Sequence, residues 1–91
     1  MNRKISVGKT YRHFKGTNYK VLCIAQDSEN LEKLVVYENV EEGKIWVRPY
    51  DMFNSLVDKN KYPDVKQKYR FELIKNKKFA KIGDEIVVTI K

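Results

Sequence analysis

Ninety-one residues, 42% hydrophobic and 12% aromatic, describe one folded domain with a modest core and exclude an intrinsically disordered chain. A single cysteine, Cys23, and a single histidine, His13, exclude an intramolecular disulfide, a cysteine-built zinc site and a multi-histidine metal centre. The formal charge of +7 is spread unevenly, with six cationic side chains and no acid in residues 1–20, six acids against Lys33 in residues 27–42, and ten Lys or Arg against Asp64, Glu72, Asp84 and Glu85 in residues 59–91. Should the two basic segments meet in space, they would form a patch suited to phosphate or another polyanion. The competing reading is an ordinary lysine-rich surface, and it weighs more because most of these residues are lysines rather than arginines. The N-terminus lacks the apolar run of a signal peptide and no stretch has the length of a membrane span. A cytoplasmic protein without membrane contact is expected.

In chain order, Thr10 to Phe14 reads as a short strand, closed by the turn Lys15-Gly16-Thr17-Asn18, where Gly16 and Asn18 both tolerate positive φ. Tyr19 to Gln26 is apolar on nearly every position, the pattern of a central strand. Cys23, inside that run, is expected to be a small core residue rather than a nucleophile. After the polar turn Asp27–Asn30, Lys33 to Val40 alternates, with Leu34, Val36 and Val40 on one face and Val35 and Tyr37 on the other. Glu41-Glu42-Gly43-Lys44 is a tight connection into Ile45–Arg48, the fourth strand of an antiparallel meander.

The stretch Lys44–Phe53 organises the rest. In an extended strand Trp46 and Arg48 share one face, and Ile45 and Val47 the other. Pro49 has no N–H to donate, so it ends the ladder and begins one helical turn over Pro49–Asn54, with Asp51 in its first turn. Met52 and Phe53 would seal one end of the core. Ser55-Leu56-Val57 could add a short strand, Asp58–Lys68 has the composition of an exposed loop, and Tyr69–Ile74 alternates as another strand. Asn76-Lys77-Lys78 reads as a turn, and Ile86–Ile90 as a β-branched C-terminal strand. The expected fold is all-β, a small antiparallel barrel or roll with one helical turn after Pro49 and an added C-terminal strand or hairpin.

Tyr11-Arg12-His13-Phe14-Lys15-Gly16, Tyr19-x-Val21, Ser28-Glu29, Val35-Val36-Tyr37 and Trp46-Val47-Arg48-Pro49-x-x-Met52-Phe53 occur here in that order. This ordered set resembles the bacterial domain of unknown function 1653, over about residues 8–74. The resemblance implies an SH3-type β-barrel and no established activity. Three segments depart from the family pattern: the connection Glu41–Lys44, the long stretch Asp58–Lys68, and the tail from Asn76, which reads as an extension over residues 76–91 of a single 1–91 domain.

Catalysis has little support in the sequence. His13 would need a carboxylate such as Glu29, Glu38 or Asp51 to act as a general base, and spacing places none beside it. A partly buried histidine bonded to backbone is the simpler account. Ser28 lies outside a nucleophile elbow, and there is no glycine-rich phosphate loop. Neither a cofactor nor a metal is expected. Binding has more support: Trp46, Arg48, Tyr37 and His13 can line an aromatic and cationic groove, the rings stacking on a planar ligand and Arg48 meeting phosphate or carboxylate. The alternative makes Trp46 a core tryptophan with Tyr37 its neighbour, and Arg48 a structural arginine. The expectation is therefore a non-enzymatic module for a nucleotide or nucleic acid, with ligand residues His13, Tyr37, Trp46 and Arg48. Its rival is a protein–protein adaptor working through the barrel edge or an apolar groove.

Overall fold

A computed structural model describes residues 3–74. The turn at 76–78, the strand Ile86–Ile90 and the extension over residues 76–91 lie outside the described residues. Five strands form one open antiparallel sheet: β1 (Thr10–His13), β2 (Asn18–Gln26), β3 (Lys33–Asn39), β4 (Ile45–Pro49) and β5 (Phe71–Leu73), in the spatial order β4-β3-β2-β1-β5. The first four follow one another through short turns, so the meander expected from the sequence is present. β5 returns from a long connection to lie against β1, pairing Tyr11 with Leu73 and His13 with Phe71. That return sets the N-terminal basic segment beside part of the C-terminal one.

Alternation decides which side chains enter the core. On β3, Val35, Tyr37 and Asn39 are buried, while Leu34, Val36 and Glu38 face outward and are only half-covered. Tyr11 on β1, Val21 on β2 and Phe71 on β5 join them from the same face of the sheet. The core is unusually aromatic for so small a domain. Phe53 and Phe71 stack with centroids 4.0 Å apart and planes 5° from parallel. Tyr11 and Tyr37 meet Phe53 edge-on at 5.5 and 5.1 Å, and Tyr19 meets Tyr37 the same way at 5.2 Å. Such edge-to-face contacts add to the burial of apolar area.

The helical turn α1 (Tyr50–Phe53) forms where the sequence places it, with one shift. Pro49 is the last strand residue, paired with Leu34, and serves as the cap before the turn rather than its first residue. Among the described residues β4 is an edge strand, so the N–H that proline lacks costs little there. Phe53 closes the core as expected, whereas Met52 lies on the outer side of the turn and is nearly half exposed. One turn of helix can aim only one of two successive side chains inward.

Four further expectations are corrected. Cys23 is exposed, not in the core. The register shifts between Val21 and Cys23, leaving Leu22 as an extra residue, so the thiol falls on the outer face opposite Val36. The strand expected over Tyr69–Ile74 pairs continuously only at Phe71–Leu73, and Ser55–Val57 contributes a single bridge, Leu56 with Tyr69. Phe14 has already left β1 and entered the turn, where Gly16 takes a φ of 105°. No helix among the described residues is long and apolar enough to cross a membrane.

The sheet coils, as antiparallel sheets do, and side chains of its two edge strands meet over the core. In a flat five-stranded sheet β4 and β5, at opposite edges, would stand roughly 19 Å apart. The long Arg48 side chain of β4 spans part of that gap, its guanidinium 5.8 Å from the centroid of the Phe71 ring of β5. The two edges curl toward each other around the stacked phenylalanines, and the recess described next opens where they approach.

Candidate functional site

The register fixes the first two side chains of the site. Trp46 stands opposite Tyr37, and Arg48 opposite Val35. Directly opposed residues share a face, so Trp46, Arg48 and Tyr37 all lie on the side of the sheet that carries the core. They differ in depth. Tyr37 is only 3% exposed, with its ring among Tyr19, Phe53 and Phe71. It offers no face for a ligand to stack on, a correction to the role expected from the sequence. Its hydroxyl instead accepts a hydrogen bond from Arg48 Nε at 3.1 Å. Trp46 is 43% exposed on the short edge strand, with the Lys44 ammonium 4.9 Å from its ring centroid. It is the cross-strand neighbour of Tyr37 and lies outside the recess described below.

His13, at the end of β1, pairs with Phe71 and packs against it edge-on at 4.9 Å. Because the chain turns at Phe14, the Phe14 ring swings back and stacks on His13 at 4.5 Å, instead of pointing away as strict alternation would require. His13 Nδ1 accepts the backbone N–H of Lys15 at 3.1 Å. That bond fixes the neutral tautomer with the proton on Nε2. Burial pushes the imidazole pKa down to about 4, and the charges of Arg48, Arg70 and Lys15 push in the same direction. At neutral pH His13 is therefore an uncharged donor. It is a poor general base, since Nδ1 is occupied and Nε2 already carries a proton.

His13 and Arg48 open onto one recess of about 320 Å³. Phe14 and Tyr62 form an aromatic wall, their centroids 4.8 Å apart and their planes tilted by 59°. Lys15 and Lys61 line the same recess, each with its ammonium 5.6 Å from the Tyr62 ring centroid. Arg70 enters from the connection before β5, its Nε donating to Ser55 Oγ at 3.1 Å while its backbone N–H donates to the Ser55 carbonyl at 2.8 Å. Among the described residues, Asp58 is the one acid that lines the recess. Its carboxylate caps its own turn, accepting the backbone N–H groups of Asn60 and Lys61. Four cations around one committed carboxylate make the recess electropositive.

Sequence reading found two of these side chains, His13 and Arg48, and placed Trp46 and Tyr37 correctly on the sheet but not in the cavity. It missed Phe14, Lys15, Lys61, Tyr62 and Arg70. Lys61 and Tyr62 lie in a loop whose composition signals exposure and nothing about direction. Arg70 carried a usable signal, as an arginine in a lysine-rich tract just before an apolar strand. Among the described residues, no group of three or more His, Cys, Asp or Glu is placed to hold a metal ion.

The model of a family described as a protein of unknown function, DUF1653, matches residues 9–73, which is most of the chain. The chain belongs to that family. Neither a curated protein nor a solved structure matches it.

Proposed function

We propose that this domain is a non-enzymatic binding module for a nucleotide or nucleic acid, with the recess between β1, β4 and the Asp58–Arg70 connection as its seat. One observation carries the reading: four cationic side chains and an uncharged histidine surround a cavity with an aromatic wall. A base stacks on aromatic faces whatever its identity, and its phosphate accepts from guanidinium and ammonium groups. In this reading Phe14 and Tyr62 supply the stacking surface, Arg48, Arg70 and His13 meet phosphate, and the exposed Trp46, two residues before Arg48 on the same face of β4, extends the surface to a neighbouring base. Tyr37 acts indirectly, by holding Arg48. The fold is an SH3-type barrel, a reading supported by the approach of Arg48 on one sheet edge to Phe71 on the other. The protein works in the cytoplasm of a bacterial cell.

A second reading is favoured by β4 itself. Ile45 and Val47 are 57% and 56% exposed on an edge strand, a surface that an extended peptide could extend by strand addition. Salt titration separates the two. Binding of a single-stranded oligonucleotide by the full chain should weaken steeply as salt rises, with a log–log slope of about −2 to −3 if three or four phosphate contacts form. Peptide binding along β4 should barely respond to salt. A folded Arg48→Ala protein that binds oligonucleotide as tightly as the parent would refute the leading reading.

A further inference from the structure

We infer that the recess selects the phosphate monoester at the end of a nucleic acid over the phosphodiesters within it; this rests on the reading above. The argument is one of charge, fork geometry and size.

A monoester carries about −1.5 to −2 at neutral pH and three terminal oxygens, whereas an internal diester carries one charge and two free oxygens. The recess holds Arg48, Arg70, Lys15 and Lys61 against Asp58, more positive charge than a single diester neutralises. Its two guanidiniums are each anchored through Nε, Arg48 on the Tyr37 hydroxyl and Arg70 on Ser55 Oγ. Their terminal Nη edges have no hydrogen-bond partner among the described residues. Two preoriented forks suit an acceptor with three oxygens, because each fork can take a separate pair without competing for one atom. The uncharged His13 adds one donor beside them. A cavity of about 320 Å³ lies at the small end of ligand sites, the scale of one nucleotide rather than a strand. The Phe14–Tyr62 wall favours a nucleotide over a phosphorylated side chain, since it offers a stacking surface that an aliphatic phosphoester does not use.

The test compares three forms of one short unstructured oligonucleotide, bearing a 5′-phosphate, a 3′-phosphate or no terminal phosphate, by fluorescence anisotropy on the full chain. One phosphorylated form should bind about tenfold tighter than the unphosphorylated one, the scale of one or two added charge-assisted hydrogen bonds. Arg70→Gln should shrink that ratio toward one. Equal affinity for all three forms, with steep salt dependence, would overturn the end preference while leaving the nucleic-acid reading in place. No binding of any form would overturn both. A phosphoserine peptide that binds as tightly as the phosphorylated oligonucleotide would overturn the assignment of the ligand as a nucleic acid end.

Discussion

His13 shows how environment sets the chemistry of a side chain. An exposed imidazole titrates near 6.5, but here burial and the nearby Arg48, Arg70 and Lys15 hold it to about 4. As the sole histidine, it gives one set of ring resonances in a proton NMR titration. Their midpoint should lie near 4, and should rise when an anion fills the recess and offsets the surrounding positive charge. The shift also fixes a sign for stability. The folded pKa lies below the unfolded one, so His13 contributes stability above about pH 6.5 that is lost as pH falls toward about 4. Relative to His13→Asn, the parent's urea midpoint should therefore fall more steeply across that window. Alternation made it legible that Trp46 and Arg48 share a face. It could not show that Tyr37, on that same face, is buried in the aromatic core while Trp46 opposite it is not, because depth depends on how the sheet curls. Tyr37→Phe keeps the ring and removes the acceptor of the Arg48 bond. It should cost about 1 kcal/mol in denaturant unfolding, and should weaken oligonucleotide binding by freeing Arg48.

Turns and bulges decide how these side chains are presented. The connection from β3 to β4 is held by Asn39, whose side-chain oxygen accepts the backbone N–H groups of Glu41 at 2.9 Å and Glu42 at 3.0 Å. Gly43 follows with a φ of 77°, a conformation that a Cβ disfavours even though the nearest atom it would meet, Glu38 Oε2, lies at an ordinary contact distance of 3.8 Å. Gly43→Ala should cost about 1 kcal/mol through backbone strain alone, read from the urea midpoint. The strands and this turn were legible because β-branched and aromatic runs alternate with Gly, Asn and acidic residues. The bulge at Leu22 was not, because nothing in Val21-Leu22-Cys23 marks an extra residue, and one unpaired residue reverses the faces after it. Cys23 gives a direct check. Its thiol should react with a soluble disulfide reagent under native conditions, without the protection expected of a core cysteine. The recess was the least legible feature, since its lining combines two strand ends, a turn and a long connection that meet only after the sheet has coiled.

At the scale of the molecule, the site depends on that coil, and the coil depends on Phe53 and Phe71. These rings come from the helical turn after one edge strand and from the opposite edge strand, so their stacking ties the two edges together. Phe71 also touches His13 edge-on and lies under the Arg48 guanidinium, which makes it the floor on which both recess residues rest. The N-terminal segment reinforces the same point: Arg3 donates to Asn54 Oδ1 and to the Phe71 carbonyl, and Asn54 donates back to the Arg3 carbonyl at 2.9 Å. Removing either ring to alanine should cost about 3–5 kcal/mol, enough to unfold a domain of ordinary stability. Leucine is the informative replacement, because it keeps most of the buried volume and removes the stacking geometry. A double-mutant cycle on Phe53→Leu and Phe71→Leu should show a coupling of about 0.5–1.5 kcal/mol in urea unfolding. Each single variant that stays folded should also move the His13 resonance midpoint upward toward its ordinary value, as the floor loosens and water reaches the imidazole. Additive costs together with an unmoved His13 midpoint would mean that the edges are held by something other than this ring pair.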